Sequence, residues 1–87
     1  MKKNKRQFSY DCVLDLHGLN LDEALLHIEK AIYSGRYRNI MIIHGHGEGI
    51  LRNGIRKYLA DSEYIRETIM GEDINIPGGS GVTVVYL

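Results

Sequence analysis

The chain has 87 residues, 44% of them hydrophobic and 25% charged, with eleven basic residues balanced by eleven acidic ones. That is one small globular domain, neither a disordered tail nor a uniformly basic nucleic-acid binder. No apolar run approaches the roughly 18 residues of a membrane span, no signal peptide precedes the first strand, and the single Cys12 permits no intrachain disulfide. A reduced, cytoplasmic setting is therefore expected, with no membrane partner.

The neutral total hides a division. Lys2, Lys3, Lys5 and Arg6 crowd the first six positions, while the rest carries seven basic and eleven acidic residues, a net of −4. Residues 1–10 are expected to form a basic, disordered arm able to touch phosphates, and residues 11–87 the folded domain. A polyanion site on the body must then be local.

From Cys12 to His17 the pattern CVLDLH sets Cys12, Leu14 and Leu16 on one face and Val13, Asp15 and His17 on the other, a strand with a polar end. Asn20 can cap the following helix with Glu23 as its capping-box partner. Leu21, Ala24, Leu25, Ile28, Ala31 and Ile32 form the apolar stripe of that helix, and Ser34-Gly35 supplies the stop. Ile40 to Ile43 is apolar on both faces, as in a central strand. A glycine-rich stretch follows, then a second helix from Ile50 to Ala60. It should bury Leu51, Ile55, Tyr58 and Leu59 and turn Arg52, Asn53, Arg56 and Lys57 to water. Tyr64 to Ile69 is a weaker strand, NIPGGSG a loop, and Val82 to Leu87 a closing strand. The order β-α-β-α-β-β specifies a two-layer α/β domain. Leu14, Leu16, Leu25, Ile28, Ile42, Leu51, Ile55, Leu59 and Val84 are expected in one core. With only two helices, one sheet face should stay largely uncovered.

Two strands joined by a helix run parallel, so their carboxyl ends share one edge, where open α/β sheets bind ligands. That edge holds Asp15 and His17 from one strand and His44-Gly45-His46-Gly47 from its neighbour. A glycine turn feeding a helix N-terminus offers N–H groups of Gly45 to Gly49 to an anion. Its plainer role is a tight strand-to-helix turn. A P-loop is excluded because no Gly-Lys-Ser/Thr follows, and the dinucleotide fingerprint lacks its third glycine, so no cofactor is expected. Glu48 disfavours a tightly cradled phosphate. Asp15 and His17 share a strand face; a carboxylate beside an imidazole orients the ring and favours its charged form, which suits proton transfer near neutral pH. A strand-end histidine beside a backbone-capping aspartate is the bland alternative.

LDLHG (Leu14 to Gly18), HGHG (His44 to Gly47), the Leu51-Arg52 after that turn and the ending GGSGVTVVYL together resemble the small MutS-related, or Smr, domain. The likeness covers about Cys12 to Leu87 and is strongest to the domain that closes the second bacterial MutS paralogue. It implies a mixed four-stranded sheet with two helices, similar to the C-terminal domain of translation initiation factor three. It also implies endonuclease activity, either DNA nicking linked to repair or recombination, or RNA cleavage linked to ribosome rescue. By the same resemblance Asp15 and His17 take the role linked to cleavage, and His44, Gly45, His46 and Gly47 the role linked to nucleic-acid binding. Many relatives carry a basic residue in place of His46 and a small hydroxyl residue in place of Glu48.

Taken with this resemblance, the chain is expected to be an endonuclease domain in which His17 moves protons, Asp15 orients it, and Arg52, Arg56 and Lys57 are candidates to balance phosphate charge. The partner is DNA or RNA, with a ribosome as a further candidate. A binding module that docks nucleic acid or a ribosome and cuts nothing is the alternative. A metal site built from Asp15, His17, His44 and His46 is a third, though alternate loop histidines rarely converge.

Overall fold

The computed structural model describes residues 10–87. Strand β1 (Cys12–Asp15) leads to helix α1 (Leu21–Tyr33), strand β2 (Asn39–Ile43), helix α2 (Ile50–Ala60), strand β3 (Glu67–Met70) and strand β4 (Val82–Tyr86), with single 3-10 turns at Gly71–Asp73 and Gly79–Gly81. The basic arm expected over residues 1–10 lies outside the described residues except for Tyr10. Among the described residues no helix is long and apolar enough to cross a membrane.

The strands form one mixed sheet in the order β1-β2-β4-β3. Parallel β1 and β2 place Leu14 beside Ile42 and Asp15 beside Ile43, while β4 runs antiparallel to both β2 and β3. Helix α1 starts where Asn20 Oδ1 accepts the Glu23 N–H at 2.9 Å and Glu23 Oε1 accepts the Asn20 N–H at 3.3 Å. Both donors are groups a helix start leaves unpaired.

The two helices lie together over one face, where Leu16, Ala24, Ile28, Ile32, Ile40, Ile42, Ile55, Leu59 and Val85 are buried as one cluster. Leu14, Leu25 and Leu51 pack against it partly buried. Gly54 lets the helices approach, because a Cβ there would sit 2.5 Å from Leu21 Cδ2.

Three expectations are corrected. Val84 belongs to a second cluster with Val82 and Ile76 on the opposite sheet face, because alternation along β4 points it away from Val85. That face is uncovered only in part. Ile76, from the segment between the 3-10 turns, closes over β4, whereas Val13 on edge strand β1 remains exposed. The weaker strand begins at Glu67 rather than Tyr64. Ser62 Oγ accepts the Tyr64 N–H in a turn, and the ladder starts only opposite Tyr86, where β4 ends.

Candidate nucleic-acid interface

The parallel pair brings the ends of β1 and β2 to one edge, and the Leu16 N–H extends the pairing to the Ile43 carbonyl at 2.8 Å. Leu16 enters the core, so Asp15 and His17 on either side of it turn to the other face. Their side chains stay open, 53% and 67% exposed. His17 Nδ1 is hydrogen-bonded to Asp15 Oδ1, and this bond, before any other influence, holds the Asp15 carboxyl below its ordinary range. An ionised Asp15 accepts the proton of Nδ1 and leaves Nε2 as the ring nitrogen for proton transfer. The pair is too exposed to stabilise the fold much, so its effect is to orient the ring.

Gly45 abuts this pair. Its φ is +83°, and a Cβ would lie 3.2 Å from His17 Cβ, so only glycine lets the turn close on the histidine. The turn is fixed from beneath by Gly81, whose carbonyl accepts the N–H groups of His44 at 2.9 Å and Gly45 at 3.0 Å. This narrows the expected anion site, since the Gly45 N–H is already used. The positions that remain are 46–49 and the first turn of α2. That helix starts at Gly49 with φ +88° and no side-chain cap, leaving its N-terminal donors and positive dipole end open. Arg52 folds back over this end, its Nη2 lying 3.1 Å from where a Gly49 Cβ would stand. A cleft of about 370 Å³ runs between Gly18–Leu21 and the turn, lined also by His46, Glu48 and Arg52. His46 lies against Gly81, where an added Cβ would stand 3.1 Å from its Cε1.

His44 does not reach the surface. It is 4% exposed, with Nε2 2.8 Å from Thr83 Oγ1 and Nδ1 3.2 Å from the Gly45 carbonyl. Arg56, expected in water, is pinned too: its side chain is only 15% exposed. Its Nε donates to Thr83 Oγ1 at 2.8 Å, Nη2 to the Val82 carbonyl at 3.1 Å, and both Nη groups to the Glu72 carboxylate. These partners fix the protons. A carbonyl facing Nδ1 requires Nδ1–H, so Nε2 accepts, and the Thr83 hydroxyl donates to it while accepting from Arg56. Burial, the largest cause, pushes the His44 pKa below its ordinary value, in keeping with a neutral ring. The Arg56 bond holds Glu72 at about 2. His44 thus serves the turn through its ring and contributes only backbone to the edge.

Lys57 stands outside the cleft, exposed, with Asp61 at 3.5 Å. The metal alternative is not formed: both His44 nitrogens are engaged within the protein, and among the described residues no group of three or more His, Cys, Asp or Glu is placed to hold an ion. Thr83, Glu72 and Gly81 were not anticipated. Thr83 left one signal, a polar residue inside the apolar run VTVVY, and Gly81 another, its place in the ending GGSGVTVVYL.

The Smr domain family model matches residues 14–87. The chain belongs to the Smr domain family. This Smr domain is 41% identical over 87 residues to Endonuclease MutS2 of Caldanaerobacter subterraneus subsp. tengcongensis, covering 97% of the chain and 11% of that protein. It is 42% identical over 77 residues to Endonuclease MutS2 of Pelotomaculum thermopropionicum, covering 85% of the chain and 10% of that protein. The chain therefore spans about a tenth of the length of these relatives. In structure it is similar to the Smr domain of Thermus thermophilus MutS2, with a TM-score of 0.74 and 35% identity over 86% of this chain and 95% of that one.

Proposed function

We propose that this Smr domain is a nucleic-acid endonuclease in which His17 moves protons and Asp15 holds its ring. The observation that supports this most is the exposed, hydrogen-bonded Asp15–His17 pair abutting the glycine turn. A phosphate lying at 46–49 and the uncapped start of α2 sits beside it, with Arg52 to offset its charge. On RNA, the adjacent 2′-hydroxyl oxygen attacks phosphorus as its proton passes to His17 Nε2. The P–O5′ bond breaks, His17 returns that proton to the departing 5′-oxygen, and a 2′,3′-cyclic phosphate remains. On DNA a water molecule takes the place of the hydroxyl. Whether DNA or RNA is cut separates a role in DNA repair or recombination from one in ribosome rescue. Nucleic acid as partner and a free Cys12 thiol fit a cytoplasmic setting.

The test incubates the protein with labelled single- and double-stranded DNA and RNA, with and without EDTA. His17→Ala should lower cleavage by roughly 10²- to 10⁴-fold while binding stays within a few-fold. Asp15→Asn should lose much of the rate as well. A wild-type rate from His17→Ala overturns the assignment. The second reading, a module that docks nucleic acid or a ribosome and does not cut, is favoured by Glu48 in the cleft, whose carboxylate keeps a phosphate from seating tightly there. It predicts binding without cleavage by the unmutated protein.

A further inference from the structure

We infer that the cleft between the C-terminal ends of α1 and α2 is a binding site for a cationic side chain, the guanidinium or ammonium of a basic segment in a partner protein. The inference is independent of the cleavage reading, because this cleft lies at the other ends of the two helices. It encloses about 320 Å³ among Tyr33, Tyr58 and Tyr64, with Asp61 and Glu63 beside them. The Tyr33 and Tyr64 rings meet edge to face, centroids 5.4 Å apart and planes at 87°. Both remain more than half exposed, 58% and 57%. Tyrosine faces are electron-rich, and a cation is the ligand that gains from both the rings and the carboxylates.

The surroundings carry the same sign. Burial first, and then the Glu29 carboxylate, push the Tyr58 hydroxyl above its ordinary value, so its ring stays neutral. Both helix dipoles present their negative ends here. Among the described residues no basic side chain lines the cleft; Lys57 touches Asp61 at 3.5 Å, with both 70–80% exposed, a contact that an arriving cation can replace. An anion meets repulsion, and an apolar ligand strips water from the carboxylates without pairing them. The chain's own basic residues 2–6 are a poorer occupant. They precede Tyr10, which packs with Val82 and Val84 on the sheet face away from the helices.

The test titrates the full 87-residue protein, isotopically labelled for NMR, with a blocked Gly-Gly-Arg-Gly-Gly peptide and its citrulline counterpart, in which a neutral urea of nearly the same shape replaces the guanidinium. Saturable shifts confined to Tyr33, Tyr58 and residues 61–64 are expected with arginine and none with citrulline. Tyr33→Leu and Tyr64→Leu should each weaken binding about fivefold. Tyr64 lies in a turn, so its variant preserves the test should Tyr33→Leu fail to fold. The paired change Asp61→Asn with Glu63→Gln should weaken binding and flatten its salt dependence. Equal responses to both peptides, or shifts elsewhere, overturn the proposal. So does movement of the same tyrosine signals, before any peptide is added, when Lys2, Lys3, Lys5 and Arg6 are all changed to Gln, because the arm is then the occupant.

Discussion

Thr83 has one hydroxyl and two demands on it, an Arg56 N–H to accept and a His44 nitrogen to satisfy. Thr83→Val keeps the β-branched shape and removes both bonds inside a buried site. Leaving those groups unpaired should cost about 1–3 kcal/mol, read as a lower denaturant midpoint at unchanged slope. An unchanged midpoint shows that the chain Arg56–Thr83–His44 does not hold the turn. The same network sets the response to acid in two windows. The folded His44 takes its proton at lower pH than the ordinary 6.5, so the unfolded chain binds the proton first. Stability is full above about pH 6.5 and declines as pH falls below it. Glu72 is held at about 2 against an ordinary 4.5, so its contribution is present above 4.5 and is lost as pH falls toward 2. Thermal midpoints across pH 8 to 3 should show both declines, and His44→Gln should remove the upper one alone. An upper decline that survives His44→Gln places its cause elsewhere.

Helix α2 shows at the scale of an element what sequence pattern can and cannot carry. Its bounds and its buried Ile55 and Leu59 were legible, because a 3.6-residue stripe and a glycine turn mark them directly. The fate of Arg56 was not. Helical periodicity placed it toward water, but its partners Glu72 and Thr83 come 16 and 27 residues later and meet it only through the sheet order. Asp15 and His17 were legible as a pair because strand alternation is local; burial of His44 depended on β4 entering beside β2. Gly54 is a further case. In an exposed helix Gly→Ala gains about 1 kcal/mol, but here the new methyl meets Leu21 at 2.5 Å. Gly54→Ala should therefore destabilise by about 1–3 kcal/mol of overpacking, measured by chemical denaturation. A gain in stability shows that the partly buried Leu21 side chain turns aside without cost. At the start of the same helix, Glu48 opposes an anion in the cleft. Glu48→Thr should tighten nucleic-acid binding, and equal affinity shows that the turn is not the contact surface.

On the scale of the whole molecule, two helices side by side polarise the domain. Their N-terminal ends frame the cleft beside Asp15 and His17, and their C-terminal ends frame the tyrosine cleft with its carboxylates. The net −4 of residues outside the first six opposes a polyanion at long range, so a phosphate backbone gains from only a few local donors and Arg52. The four basic residues of positions 2–6 are then the candidates for further phosphate contacts. Each phosphate contact they make releases a counterion, with a slope of about 0.7 to 0.9 per contact in log affinity against log salt. Changing Lys2, Lys3, Lys5 and Arg6 together to Gln should lower that slope by up to about 3 and weaken binding at low salt, with little change in the rate constant for cleavage of bound substrate. Filter binding at several salt concentrations, paired with single-turnover cleavage, measures both. An unchanged slope assigns all of the phosphate contacts to the cleft, and a collapse of the bound-state rate means that the arm also orders the substrate against His17.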